Sequence, residues 1–239
     1  MSALHAAMAP RLVFGDRLVY LGNYLGVGPA IYDTITELLR FRRMFLSIPP
    51  YTDAADVVFL RGAQEEMWQK LLQLQFSARP TEVLEWMLAH GADATLTAYG
   101  GSAEDGLNGA AQGAMALTAW TNALRATMRT ASGHDELLNA LKRAALSHDR
   151  GVLFVSTGID TEQPLLAQTD SFWWAGRSFS MITNRYEGFV RVVRGFDPGH
   201  GGYLETEPTL TIDGGCGFGG TLIAVCMTPD GDIQDRLEV

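Results

Sequence analysis

Cysteine is scarce: only Cys216 and Cys226 occur in the chain. Two such residues build neither a disulfide framework nor a Cys-x-x-Cys metal site, so they are expected as reduced, mostly buried thiols in a cytoplasmic protein. Basic residues are also few. Lys and Arg total 18 against 27 Asp and Glu, a formal net charge of −9. That balance disfavours nucleic acid and anionic membrane surfaces as partners, because a polyanion needs clustered Lys and Arg. Long apolar runs are missing as well. Val152–Val155 and Leu222–Met227 have strand length and cannot span a bilayer. The opening MSALHAAMAP lacks the charged start and the long apolar centre of a signal peptide. A soluble cytoplasmic protein is the expectation.

What is present is ordinary globular composition. The 239 residues are 47% hydrophobic and 19% charged, which supplies a sizeable core and argues against disorder. Short aliphatic or β-branched runs bounded by Gly or charge read as strands: Leu18–Leu21, Val57–Leu60, Val152–Val155, Phe189–Val193, Thr209–Ile212 and Thr221–Met227. Helical patterns fall at Ala30–Phe45, Gln64–Leu74, Thr81–His90, Ala114–Met128 and Glu136–Leu146. Pro80 and Thr81 mark the start of one helix, with Thr81 as its expected cap, and Gly91 marks its end. Gly100–Gly113 is the most loop-like stretch, inside a helical insert expected over roughly 100–148. The fold class is therefore α/β: a single domain over 1–239 with a helical insert and a β-rich close.

Several Gly-containing turns follow predicted strands directly, where open α/β sheets place their ligands. They are Gly22-Asn23-Tyr24-Leu25-Gly26-Val27-Gly28, Arg61-Gly62-Ala63-Gln64-Glu65, Ser156-Thr157-Gly158, Arg194-Gly195-Phe196-Asp197 and Asp213-Gly214-Gly215. Their order and spacing, with the flanking text VVFLRGAQEEMWQKLL and TIDGGCGFGGTLIAV, resemble the calcineurin-like metallophosphoesterases. The bacterial PPP-type serine/threonine protein phosphatases are the most similar branch. The resemblance implies a metallophosphatase-like sandwich of two mixed β-sheets flanked by helices, here without the family's first strand, since the chain starts in what looks like the following helix.

That resemblance also implies a lost metal centre. Family members hold two metal ions that activate a water for attack on phosphorus. At the matching positions this chain has Asn23 for a bridging aspartate, and Gly26 and Val27 for an Asp-Arg pair. It has Ala63 for a ligand asparagine, Gln64 for a general-acid histidine, Ser156 for another histidine and Phe196 for a metal-binding histidine. Glu65 remains. The stretch Trp173-Trp174-Ala175 lacks the family's phosphate-binding arginine, although Arg177 is near. Two adjacent divalent cations repel and need several anionic or imidazole ligands, and Ala63 and Phe196 have no donor atom. Arg194 either fills the emptied site and pairs with Asp197, Asp213 or Glu65, or points to solvent. The expected pocket consists of Asn23, Gln64, Glu65, Ser156, Arg194, Asp197 and Asp213, with no catalytic residue, no metal ligand and no cofactor.

Of the five histidines, none falls in a matching block. His90 reads as a helix-end residue, and His200 as the best candidate for a relocated ligand. The Gly214–Gly220 run lacks the Lys-Ser/Thr of a P-loop and reads as a turn. Ser156 reads as a strand-end polar residue, because no histidine is placed to deprotonate it. The expected function is that of a pseudophosphatase, a binding or regulatory module for an unidentified protein partner, with oligomeric state open. The alternatives are a phosphomonoesterase with an altered site and a weakly held Mn or other divalent metal, and a small-anion binding protein anchored on Arg194.

Overall fold

A computed structural model describes residues 1–49, 53–147 and 150–239. The end of the expected insert at 148 and the histidine there lie outside the described residues. The chain forms two compact units. The first comprises Met1–Asn23, Arg40–Ala63 and Leu141–Val239; the second comprises Tyr24–Leu39 and Gln64–Ala140.

The first unit opens on the helix α1 (Ser2–Met8) and carries the strands. β1 (Leu18–Tyr20) and β2 (Val57–Phe59) pair in parallel, Val19 opposite Val58. A five-stranded mixed sheet has the order β3-β4-β5-β7-β6, built from β3 (Ala145–Leu146), β4 (Val152–Val155), β5 (Arg191–Arg194), β6 (Gly202–Glu205) and β7 (Thr209–Asp213). Its centre, β4-β5-β7, is parallel, and the flanking strands β3 and β6 run antiparallel. A hairpin of β8 (Ile223–Met227) and β9 (Ile233–Glu238) closes the chain. The parallel centre is aliphatic on both faces, as doubly covered strands must be. Leu153, Val155 and Val192 pack with Phe172, Trp173, Phe179 and Phe189; Val152, Val193 and Leu210 form a second cluster.

Helices build the second unit: the first half of α2 (Ile31–Leu46), then α3 (Ala63–Leu71) from Gln64 onward, α4 (Pro80–Ala89), α5 (Ala92–Ala98), α6 (Ala103–Gln112), α7 (Ala114–Thr130) and α8 (His134–Ala140). On α7 the buried residues are Leu117, Thr121, Leu124 and Met128, a single stripe at helical spacing.

Four expectations change. The helix expected over Glu136–Leu146 is α8, which ends at Ala140, and Ala145–Leu146 is instead the strand β3, because its backbone pairs with β4. Gly100–Gly113 is mostly the helix α6, capped by Ser102, whose side chain accepts the Asp105 N–H at 3.1 Å. Its glycines serve packing: a Cβ on Gly106 would lie 2.6 Å from the Trp120 ring. Thr81 caps nothing, because Pro80 already occupies the first turn of α4 and Arg79 precedes it without a side-chain bond. Cys216 and Cys226 are both free and exposed, since one sits in the Gly-rich turn and the other on a hairpin strand with little cover. No helix among the described residues is long and apolar enough to cross a membrane.

Candidate functional site

Loops after the parallel strands of the first unit gather closely. A Cβ on Gly22 would meet Gly62 N at 2.7 Å and Ser156 Oγ at 2.9 Å, and one on Gly62 would meet Asn23 Oδ1 at 2.3 Å. The Gly195 and Phe196 N–H groups both donate to the Ser156 carbonyl, at 3.1 and 2.9 Å. Asn23 holds φ 57°, a left-handed conformation that Asn adopts more readily than most residues. Only residues without a side chain at 22 and 62 permit this approach.

Arg194 ends β5 and turns inward at 4% exposure. Its Nε–H donates to Thr211 Oγ1 and its Nη1–H to the Gly176 carbonyl, each at 2.9 Å. Nη2 lies 3.0 Å from Asp197 Oδ1, and the guanidinium carbon stands 4.4 Å from the Phe179 ring centroid. Burial pushes the guanidinium below its ordinary value, while Asp197 and Asp213 pull it back up; an arginine nonetheless stays charged. Of the two orientations left open, the inward one is found, and Asp197 is the ion-pair partner.

Asp197 and Asp213 each accept three contacts, spread over both carboxylate oxygens. Asp197 accepts the Gly199 N–H at 3.2 Å and the Gly201 N–H at 3.1 Å besides Arg194. Burial works to raise its carboxyl pKa, yet those N–H groups, Arg194 and His200 hold it below the ordinary value. Asp213 is buried and accepts the Gly215 N–H on Oδ1 at 2.8 Å. Its Oδ2 accepts the Asp197 N–H and the His200 Nδ1–H, each at 2.9 Å. His200 was singled out by sequence as a ligand candidate, and its carboxylate contact emerges only from folding.

Ser156 and Thr157 are fully buried, and neither hydroxyl has a hydrogen-bond partner among the described residues. Two other expected pocket residues belong to the second unit and act there as braces. Glu65, 1% exposed, accepts the Leu25 N–H at 2.9 Å. Gln64 donates from Nε2 to the His90 carbonyl at 2.9 Å, while Thr95 Oγ1 accepts the Gly26 N–H. Sequence reading missed Thr95 and Thr211, because a lone threonine in a helix or strand carries no motif. His90 does sit at a helix end, its Nδ1–H on the Trp86 carbonyl at 2.7 Å.

The donors at the strand ends fit a pair of divalent cations poorly. A guanidinium already stands against Asp197, both of that residue's oxygens accept internal bonds, and a fixed cation opposes an added one. Among the described residues, no three His, Cys, Asp or Glu side chains gather as a metal-binding group. Comparison with known protein families, curated proteins and solved structures finds no match.

Proposed function

We propose that this chain is a metallophosphoesterase-like scaffold, its sheets and helices read as a variant of the two-sheet sandwich, that serves as a cytoplasmic binding or regulatory module rather than as a two-metal phosphatase. One observation carries the reading: the Arg194 guanidinium is buried at the strand ends and engaged by Asp197, Thr211 and the Gly176 carbonyl. A side-chain cation held this way replaces the positive charge a metal would bring and cements the loops. The same engagement disfavours the small-anion reading, since all three guanidinium nitrogens already face internal acceptors. The partner in this reading is a protein, with no role for nucleic acid or membrane.

The test is direct. Purified chain, incubated with Mn²⁺ and desalted, is expected to retain no stoichiometric metal and to leave p-nitrophenyl phosphate intact. Mn²⁺-dependent hydrolysis that disappears in Asn23→Ala or Asp197→Asn would overturn the proposal and restore the phosphomonoesterase alternative. Phosphate binding without turnover, lost in Arg194→Ala, would instead establish the anion-binding alternative.

A further inference from the structure

His200 combines four features that a merely structural histidine does not need together. Its Nδ1–H is donated to the buried Asp213 carboxylate at 2.9 Å, and that carboxylate is itself fixed by two backbone N–H groups. Its side chain is 25% exposed, with Nδ1 on the carboxylate and Nε2 on the far side of the ring. Its backbone holds φ 46°, in the left-handed region that histidine enters more readily than most residues. Finally, its ring contacts two aromatics, Phe218 at 4.1 Å and Phe196 edge-on at 5.3 Å. A carboxylate on Nδ1–H fixes the tautomer with its lone pair on Nε2, which leaves that nitrogen as the nucleophilic one.

Charge decides what such a nitrogen can attack. Asp197 and Asp213 outnumber the single guanidinium of Arg194, so an anionic substrate is repelled. The flanking phenyl rings of Phe196 and Phe218 suit a flat apolar group. We propose that His200 is a nucleophilic site for neutral, activated acyl compounds, aryl esters above all, with Asp213 as its positioning residue. Nε2 attacks the carbonyl carbon; the carbon–oxygen bond to the aryl group breaks and the phenolate leaves with the electron pair. The acyl-imidazolium carries its positive charge on the ring whose Nδ1–H faces Asp213, which stabilises it. Water then adds to the acyl carbon, the carbon–nitrogen bond breaks with its electrons returning to Nε2, a carboxylic acid departs, and the proton the water gives up is taken by the phenolate to make the phenol. Ester and water give acid and phenol, with no other reactant. The inference does not rest on the phosphatase-like reading, because it uses neither a metal nor a phosphoryl group.

The full chain supplies its own comparison. His90 is exposed, but its Nδ1–H meets a backbone carbonyl instead of a carboxylate. With diethyl pyrocarbonate as the acyl probe, His200 is expected to be modified about tenfold faster than His90, the scale on which a carboxylate partner tunes an imidazole. With p-nitrophenyl acetate, release of p-nitrophenolate is expected to fall about tenfold in His200→Gln, whose amide can still donate to Asp213. Labelling of His200 no faster than His90, or equal turnover by the parent chain and His200→Gln, overturns the proposal. The labelling arm needs no variant, so a misfolded variant cannot rescue it.

Discussion

Arg194 and Asp197 close the turn after β5 with an ion pair of 3.0 Å, the guanidinium 5% and the carboxylate 22% exposed. Removing the cation strands a carboxylate and two further acceptors, Thr211 Oγ1 and the Gly176 carbonyl. Arg194→Met is therefore expected to cost about 3–5 kcal/mol, the range for breaking one side of a buried pair. Urea unfolding followed by tryptophan fluorescence measures it. A loss below about 1 kcal/mol, as for an exposed pair, would show that this contact does not hold the turn.

Ser156 behaves oppositely. Its hydroxyl is buried without a partner among the described residues, so deleting it removes a desolvated polar group and strands nothing. Ser156→Ala is expected to leave the unfolding midpoint unchanged or to raise it. A drop of more than about 1 kcal/mol, the worth of a typical hydrogen bond, would mean that the hydroxyl bonds to an ordered water the fold requires.

Acid should weaken the fold in two steps. In the second unit His134 is buried, accepting the Tyr99 O–H on Nδ1 at 2.9 Å. Thr36 gives its own proton to the Tyr32 carbonyl, so its oxygen takes the His134 Nε2–H at 3.1 Å. The neutral ring is satisfied, and burial lowers its pKa from 6.5. Well above pH 6.5 neither folded nor unfolded chain is protonated there. As pH falls below that value the unfolded chain binds the proton first, so stability drops, levelling off once the folded ring protonates. Asp197 adds a second loss at lower pH: its folded pKa is depressed, so its contribution is present above the ordinary carboxylate range and disappears as pH falls through the folded value. Urea midpoints from pH 8 to about pH 2 should decline in both windows, the lower one beneath the ordinary carboxylate range, and His134→Gln should flatten the upper one. An unchanged upper step in that variant would assign it elsewhere.

Both thiols should react with an aromatic disulfide reagent without denaturant, since both are exposed. Burial of the sulfur, with Asp16 and Asp235 nearby, pushes the Cys226 pKa up, so its thiolate is scarcer near neutrality and its reaction slow. Cys226→Ser is expected to remove the slow phase of the time course. Thiols that react only in urea would contradict the exposed placement.

Much of the first unit was legible in sequence because its parallel strands are short aliphatic runs that end in glycine. Val152–Val155 matches β4 residue for residue, and the expected strands at 18, 57 and 209 differ from β1, β2 and β7 by a single residue at one end. Edge elements were not legible. β6 and β9 read Gly-Tyr-Leu-Glu and Ile-Gln-Asp-Arg-Leu-Glu, and a strand with little apolar face carries no alternation to detect. The glycines of α6 suggested a loop, because a close helix contact and a flexible turn ask for the same residue.

Composition and local pattern alone determined the α/β class, the acidic balance and the glycine turns at the strand ends, because these depend on neighbours in the chain. Tertiary structure decided the rest: that Arg194 faces inward to Asp197, that His200 meets Asp213, and that Gln64 and Glu65 brace a loop. Such pairings join positions up to 40 residues apart, and which partner a polar side chain finds depends on where folding removes water.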